Sequence, residues 1–196
     1  MFMRLPSRKA EMGVGTLIIF IALLLVAAVA AGVLIQTAGS LQQKALTTGT
    51  QATGQISTNA VTLEVSAVDG TTSLTNFSQI VKLAPGSDPI ELDSVSLTFN
   101  TKDSTTAYRY SGDSTFTVNA TTENGTFGVT YLQQGTNYQA GVLVRGDVIQ
   151  IDYEAPRAID DGEDIRINFV PKTGTATLTM FTIPDVVSTQ RVYLYP

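Results

Sequence analysis

Val14 to Ile35 reads VGTLIIFIALLLVAAVAAGVLI, with Thr16 its only plainly polar side chain. Around it runs a longer stretch, Met12 to Gln43, of 32 residues without a charge. At about 1.5 Å of rise per residue, a helix over Val14–Ile35 spans roughly 33 Å, enough to cross a hydrocarbon core. The run is apolar on every helical face, so it cannot lie on a globule with one side in water. It needs lipid, or a core built from other helices like itself.

The leader before this run, MFMRLPSRKA, is short and basic. After it comes QTAGSLQQKALTTGTQATGQIST, polar and small, with Leu34, Ile35, Ala38, Leu41, Ala45 and Leu46 near helical spacing. This pattern predicts one long helix continuing to about Thr58. Gly39, Gly49 and Gly54 each cost about 1 kcal/mol relative to Ala in a helix interior, so this half is helical only when packed on something.

From about Ala60 the period changes to two. VTLEVSA places Val61, Leu63 and Val65 on one face; DSVSLTFN does so with Val95, Leu97 and Phe99, and DIRINFV with Ile165, Ile167 and Phe169. Further strand candidates are SQIVKLA (78–84), TAYRY (106–110), STFTVN (114–119), TFGVTYL (126–132), AGVLV (140–144), DVIQIDY (147–153), TATLTMFT (175–182) and RVYLY (191–195). Turn signals such as PGSDP, ENG, RGD, DDGED and PKTG separate them. The expected fold class is α+β: a long N-terminal hydrophobic α-helix followed by an all-β immunoglobulin-like sandwich. Its segments are a leader (1–10), the helix (11–58) and the β domain (59–196).

Composition excludes several function classes. From Glu11 onward the chain carries 9 basic against 17 acidic residues, a net of −8. No basic stripe is available to neutralise phosphates, which argues against nucleic acid as a partner. There is no Cys and no His, which removes thiol and imidazole chemistry and nearly every zinc site. No Walker-type loop, nucleophile elbow or paired catalytic carboxylate is visible. The expectation is a protein without catalytic residues, metal or cofactor.

Three fates are open to the apolar segment on physical grounds. It can be a secretory signal peptide, for which Ala28-Val29-Ala30 imitates an A-x-A site, although the run exceeds the usual ~7–15 residues. It can be a permanent anchor with its basic end in the cytoplasm. Or the leader can be cut away at the boundary between basic and apolar parts, leaving Glu11 as the new N-terminus.

The residues around that boundary favour the third. EMGVGTLIIFIALLLVAAVAAGVLIQTAGSLQQKAL resembles the N-terminal segment of archaellins, filament subunits of the archaeal swimming organelle. DPIELDSVSLTF, LVRGDVIQIDY and the closing FVPKTGTATLTMFTIPDVVSTQRVYLYP are similar to strand motifs of that family's outer domain. The resemblance implies a class III signal peptide cut between Ala10 and Glu11 by a prepilin-peptidase-like membrane protease. Many family members carry Gly before the cut, where this chain has Ala10. Bacterial type IV pilins commonly place Glu five residues into the mature helix, where this chain has Gly15.

The resemblance further implies a structural subunit of a motility filament, inserted in the cytoplasmic membrane before assembly and extracellular after it. Its partners would be other copies of itself, the peptidase, and the assembly machinery's membrane platform and ATPase. The alternatives are a type IV pilin-like adhesion subunit and a membrane-anchored β-sandwich surface protein. Filament-core packing falls to Leu17, Ile18, Phe20, Ile21, Leu24 and Leu25 for bulk. Ala27, Ala28, Ala31 and Gly32 form small-xxx-small pairs one turn apart. Identical subunits meeting through different patches generate an open helical filament.

Three sequons stand in the β domain, at Asn76, Asn119 and Asn124. Each is an N-glycosylation acceptor if this face is extracellular, and the turn-like TVNATTENGTF makes Asn119 and Asn124 the more reachable pair. The acidic turn Asp160–Asp164 lacks EF-hand spacing and reads as a solvated strand connection, with cation binding left open. Arg145-Gly146-Asp147 reads as a hairpin turn rather than an adhesion tripeptide.

Overall fold

Fifty residues, Arg8–Ser57, wind into one unbroken α-helix, α1, in the computed structural model of this protein. The structure describes residues 8–68, 74–112, 125–185 and 191–196, with backbone alone at residues 8–11. No proline interrupts α1, so nothing in the sequence removes a donor from its ladder. The chain divides into two compact units, one ending at Gln51 and one beginning at Ala52. The last helical turn therefore belongs with the β domain.

There the helix end is held by the domain's own groups. The Thr58 N–H closes the final turn on the Gly54 carbonyl at 3.0 Å. The Ser87 hydroxyl donates to the Ser57 carbonyl at 3.0 Å, and the Thr175 N–H to the Thr58 carbonyl at 2.9 Å. Carbonyls that a helix terminus leaves without intrahelical partners are thus satisfied by strand connections.

The strands are β1 (Ala60–Ala67), β2 (Leu74–Leu83), β3 (Ile90–Glu91), β4 (Ser96–Asn100), β5 (Thr105–Tyr110), β6 (Thr126–Gln133), β7 (Val142–Leu143), β8 (Val148–Ile159), β9 (Asp164–Val170), β10 (Thr177–Thr182) and β11 (Val192–Tyr195). A short 3-10 turn, Leu92–Ser94, separates β3 from β4. Nine strands form one sheet in the order β10-β9-β4-β5-β6-β8-β2-β1-β11, while β3 pairs only with β7. All neighbours are antiparallel except β5 and β6, which run parallel at Arg109/Thr126 and Tyr110/Phe127.

Flat, that sheet would hold β2 and β4 about 19 Å apart, four strand spacings. Yet Phe77 on β2 and Phe99 on β4 meet with ring centroids 5.3 Å apart. The sheet is therefore folded over on itself and works as a sandwich. Tyr108 and Tyr153 bridge the layers at 5.7 Å, and the Tyr108 hydroxyl donates to the Glu154 carbonyl. The predicted inward faces Val95/Leu97/Phe99 and Ile165/Ile167/Phe169 are all buried.

One predicted face is corrected. Leu63 is exposed while Thr62 is buried, because the β1–β2 register jumps from Thr62/Val81 to Glu64/Ile80. Leu63 is the extra residue of a β-bulge, which moves the inward phase from Ala60 and Thr62 to Val65 and Ala67. The strand expected at 114–119 lies outside the described residues.

The seam between β1 and β10 is closed by threonines instead of a backbone ladder. Thr177 donates to the Ala60 carbonyl at 2.6 Å, and the Thr179 and Thr62 hydroxyls lie 3.1 Å apart beside the buried Gln79. Thr177, Thr179 and Phe181, two apart on β10, share one face, and the two threonines on it reach β1.

The Tyr153 hydroxyl is fully buried and finds no partner among the described residues. A buried hydroxyl without a hydrogen bond costs about 1–3 kcal/mol, while the ring packing against Phe77 and Phe99 is kept in Phe. Tyr153→Phe is expected to stabilise the domain by about 1 kcal/mol, seen as a rise of a few degrees in Tm. A lowered Tm would show that the hydroxyl has an acceptor after all.

Candidate functional site

α1 presents its apolar surface bare in every direction. Ile21, the least exposed of the large side chains between Met12 and Ile35, is still 49% exposed, and Ile35 reaches 74%. The helix is long and apolar enough to cross a membrane. The hydroxyls within and just after the apolar run are quenched internally: Thr16 donates to the Gly13 carbonyl and Thr37 to the Leu34 carbonyl, both at 3.0 Å. An apolar run so satisfied enters lipid or a dry bundle without stranding the Thr16 donor.

At about 100° per residue, the ten residues predicted to pack in a filament core share one half of the helix circumference. The opposite half, with Ile19, Val29 and Val33, is equally exposed. Sequence reasoning passed over those three, although the unbroken hydropathy of the run already included them. Among the described residues nothing packs against the helix glycines from Gly13 to Gly39. A methyl group added at Gly13, Gly15, Gly32, Gly39 or Gly49 would touch nothing within 4 Å. Each glycine costs about 1 kcal/mol of helix propensity, which no packing contact at these positions among the described residues offsets.

Other predicted sites resolve differently. Asn76 sits within β2, facing Glu154 on β8, and its sequon partner Ser78 is buried with its hydroxyl donated to the Asp152 carboxylate. Asn119 and Asn124 lie outside the described residues. Arg145-Gly146-Asp147 is a turn, but not a hairpin, since β7 and β8 do not pair with each other. Gly146 takes φ +93°, and Asp147 is buried, accepting from the Gly135 and Val144 N–H groups. Its carboxylate serves the turn and is closed to a receptor.

In the acidic turn between β8 and β9, Glu163 is already engaged. It accepts from the Lys102 N–H at 3.1 Å and the Arg157 guanidinium at 2.5 Å. Among the described residues no three ligating side chains converge on a metal position. Desolvation pulls the Glu163 pKa upward, but the Lys102 N–H and Arg157 outweigh it and hold the carboxyl below its ordinary value. A depressed folded-state pKa means its stabilisation is present above the unfolded carboxylate pKa and lost as pH falls through the folded one. Glu163→Gln should therefore lower Tm near neutral pH and converge on the parent under strongly acidic conditions. A constant difference down the acid range would contradict this.

A model of the archaeal-type flagellin family matches residues 10–181, most of the chain. The chain belongs to that family. Among archaeal-type flagellins it is 34% identical to flagellin B2 of Halobacterium salinarum over 190 residues, covering 91% of each chain. Flagellin B2 of Methanocaldococcus jannaschii is 32% identical over 196 residues, 92% of this chain and 86% of that one. Against flagellin B1 of Natrialba magadii the match is 45% over 95 residues, 46% of this chain and 47% of that relative. There the chain spans about half the relative's length.

The fold agrees with solved members of the family. The crystal structure of flagellin FlaB1 from Methanocaldococcus jannaschii superposes with a TM-score of 0.62 at 16% identity, covering 70% of this chain and 96% of that one. The archaeal flagellum of Methanospirillum hungatei gives 0.65 at 20% identity, covering 89% and 94%. At these identities the likeness speaks for the fold alone.

Proposed function

We propose that this archaeal-type flagellin is a structural subunit that polymerises through α1 into a flagellar filament for swimming. The observation that carries the reading is the helix itself: its first half is apolar in every direction, and at Gly13, Gly15, Gly32 and Gly39 an added methyl would touch nothing among the described residues. In the membrane such a helix is stable because lipid matches its side chains and its backbone is satisfied internally. Leaving lipid is favourable only into another apolar environment, and a bundle of identical helices provides one. Each fully buried large side chain contributes on the order of 1.5–3 kcal/mol relative to water, so loss of subunits into water is strongly opposed. Exchange between lipid and bundle stays near neutral, which lets a membrane pool feed a growing fibre. The role is structural, and energy for assembly or rotation comes from other proteins.

In this reading residues 1–10 are a leader removed between Ala10 and Glu11 by a prepilin-peptidase-like protease. Residues 11–58 form the filament core, and residues 59–196 the extracellular outer domain. The ten core candidates from Leu17 to Gly32 pack against neighbouring helices. A membrane platform and an ATPase complete the assembly machinery. Asn119 and Asn124 are the preferred glycan acceptors, because Asn76 sits within the sheet and Ser78 is committed to Asp152.

The test is the N-terminal residue of the protein in sheared surface filaments, read by intact-mass and peptide mass spectrometry. The expected start is Glu11 with the apolar helix retained. A start near Ala31, or recovery only from membranes with Met1 intact, overturns the filament reading.

A further inference from the structure

Lys44 is the only charged residue between Glu11 and Glu64. It stands on the part of α1 where Leu41 and Leu46 are still 66% and 64% exposed, so a filament must cover this section too. At about 100° per residue, Lys44 shares a face with Thr37, Ser40, Thr47 and Gln51, opposite Ile35, Ala38, Gly39, Leu46 and Gly49. The side opposite Lys44 is mostly small and apolar but also holds Gln42, and the Lys44 side, with Leu41 at its edge, holds the only cation of this section.

The polar side makes few demands except at Lys44. The Thr37 hydroxyl donates to the Leu34 carbonyl, and the Thr47 hydroxyl to the Gln43 and Lys44 carbonyls at 3.0 and 2.9 Å. An ammonium carries three donors and a full charge, which a second bond to a ladder carbonyl does not neutralise. A charge covered by protein must be paired. The chain offers the complement in abundance: residues 52–196 hold 8 basic against 16 acidic side chains, a net of −8. Copies of such a domain repel one another, and a cation presented by the helix layer offsets that repulsion.

We infer that Lys44 pairs with a carboxylate on the β domain of a second copy and fixes the register in which subunits stack. This rests on the filament reading above. A smooth apolar helix can slide past its neighbours with little change in energy. A single polar residue in an otherwise apolar interface instead penalises every offset but one, as in coiled coils. Asp88, Glu91 and Asp93, all exposed on the segment following β2, are carboxylates available to receive it.

The test uses native filaments sheared from cells. Acylation of Lys44 by an amine-reactive ester is compared between intact filaments and subunits dispersed in detergent. Protection on the order of tenfold or more is expected in filaments. A zero-length carbodiimide should also yield a covalent dimer whose peptides join Lys44 to a carboxylate within residues 52–196. Lys44→Arg, which keeps the charge, should restore filament yield lost in Lys44→Gln. Equal acylation in both states overturns the pairing; so do links confined to the monomer band or to Glu11, or protection without a Lys44-linked dimer. Absence of the wild-type chain from filaments would instead overturn the filament reading itself.

Discussion

Ala28→Leu in the full-length chain is expected to leave membrane insertion intact and to abolish filaments. Leu is more favourable than Ala in hydrocarbon and nearly its equal in helix propensity, so a helix whose only task is anchoring gains from the change. A packed bundle does not. Ala28 and Gly32 lie one turn apart on the half of α1 read as the packing face, where a small side chain lets two backbones approach. Forcing extra carbons into a well-packed contact costs about 1–3 kcal/mol per site. In a filament every added subunit bears that cost, so elongation weakens roughly 5- to 150-fold. Val29→Leu, on the opposite half and nearly conserving volume, serves as the control and should be tolerated. The measurement is the ratio of subunit in sheared filaments to subunit in membranes, with swimming scored alongside. If Ala28→Leu filaments match the parent in yield, Ala28 has no close packing role and the choice of this half of α1 as the packing face is overturned.

The helix was legible because its signal is local. An unbroken apolar run and a polar stretch with apolar residues near helical spacing mark it, and the observed end at Ser57 falls one residue from the expected one. The strands were legible where burial alternates without interruption, as in β4 and β9. They failed where the ladder breaks. The bulge at Leu63 reversed the inward face of β1, and nothing in VTLEVSA announces an extra residue. β8 was expected to stop at Tyr153, before Ala155-Pro156, yet runs on to Ile159. Proline is tolerated there because the β2–β8 register is irregular between the Leu74/Ile159 and Asn76/Glu154 pairs, so no regular ladder donor is needed. β3 and β7, two residues each, carry too few positions for any period to show. The parallel β5–β6 step that joins the two layers depends on contacts between distant segments, which periodicity cannot see. Hydropathy marked the whole apolar run, whose large side chains the structure leaves exposed on every face.

Gly174→Ala is expected to cost more than any other single-methyl change in the β domain. Gly174 takes φ +116°, a conformation that costs a residue with a Cβ about 1–2 kcal/mol. Its added methyl would also run into the Thr58 backbone carbonyl oxygen and lie 2.9 Å from Thr58 Cβ and 3.0 Å from Cγ2. Thr58 is buried where the helix hands over to β1, and its carbonyl accepts from the Thr175 N–H at 2.9 Å. Backbone meets backbone here, so no side chain can swing aside and relief requires opening that hydrogen bond. Strain and lost contact together should reach about 3–5 kcal/mol, a fall in Tm of roughly 6–20 °C. Gly112 isolates the two causes: it takes φ +106°, but a methyl there meets nothing within 4 Å among the described residues. Gly112→Ala should therefore carry only the conformational cost. Thermal unfolding of the detergent-solubilised protein, followed through its β-sheet circular dichroism, separates the pair. Equal losses at both positions would mean the close approach at Thr58 relaxes freely and the junction is not tight. A loss concentrated at Gly174 places the mechanical link between helix and sheet at Thr58, and filament yield from Gly174→Ala should then fall further than the drop in Tm alone accounts for.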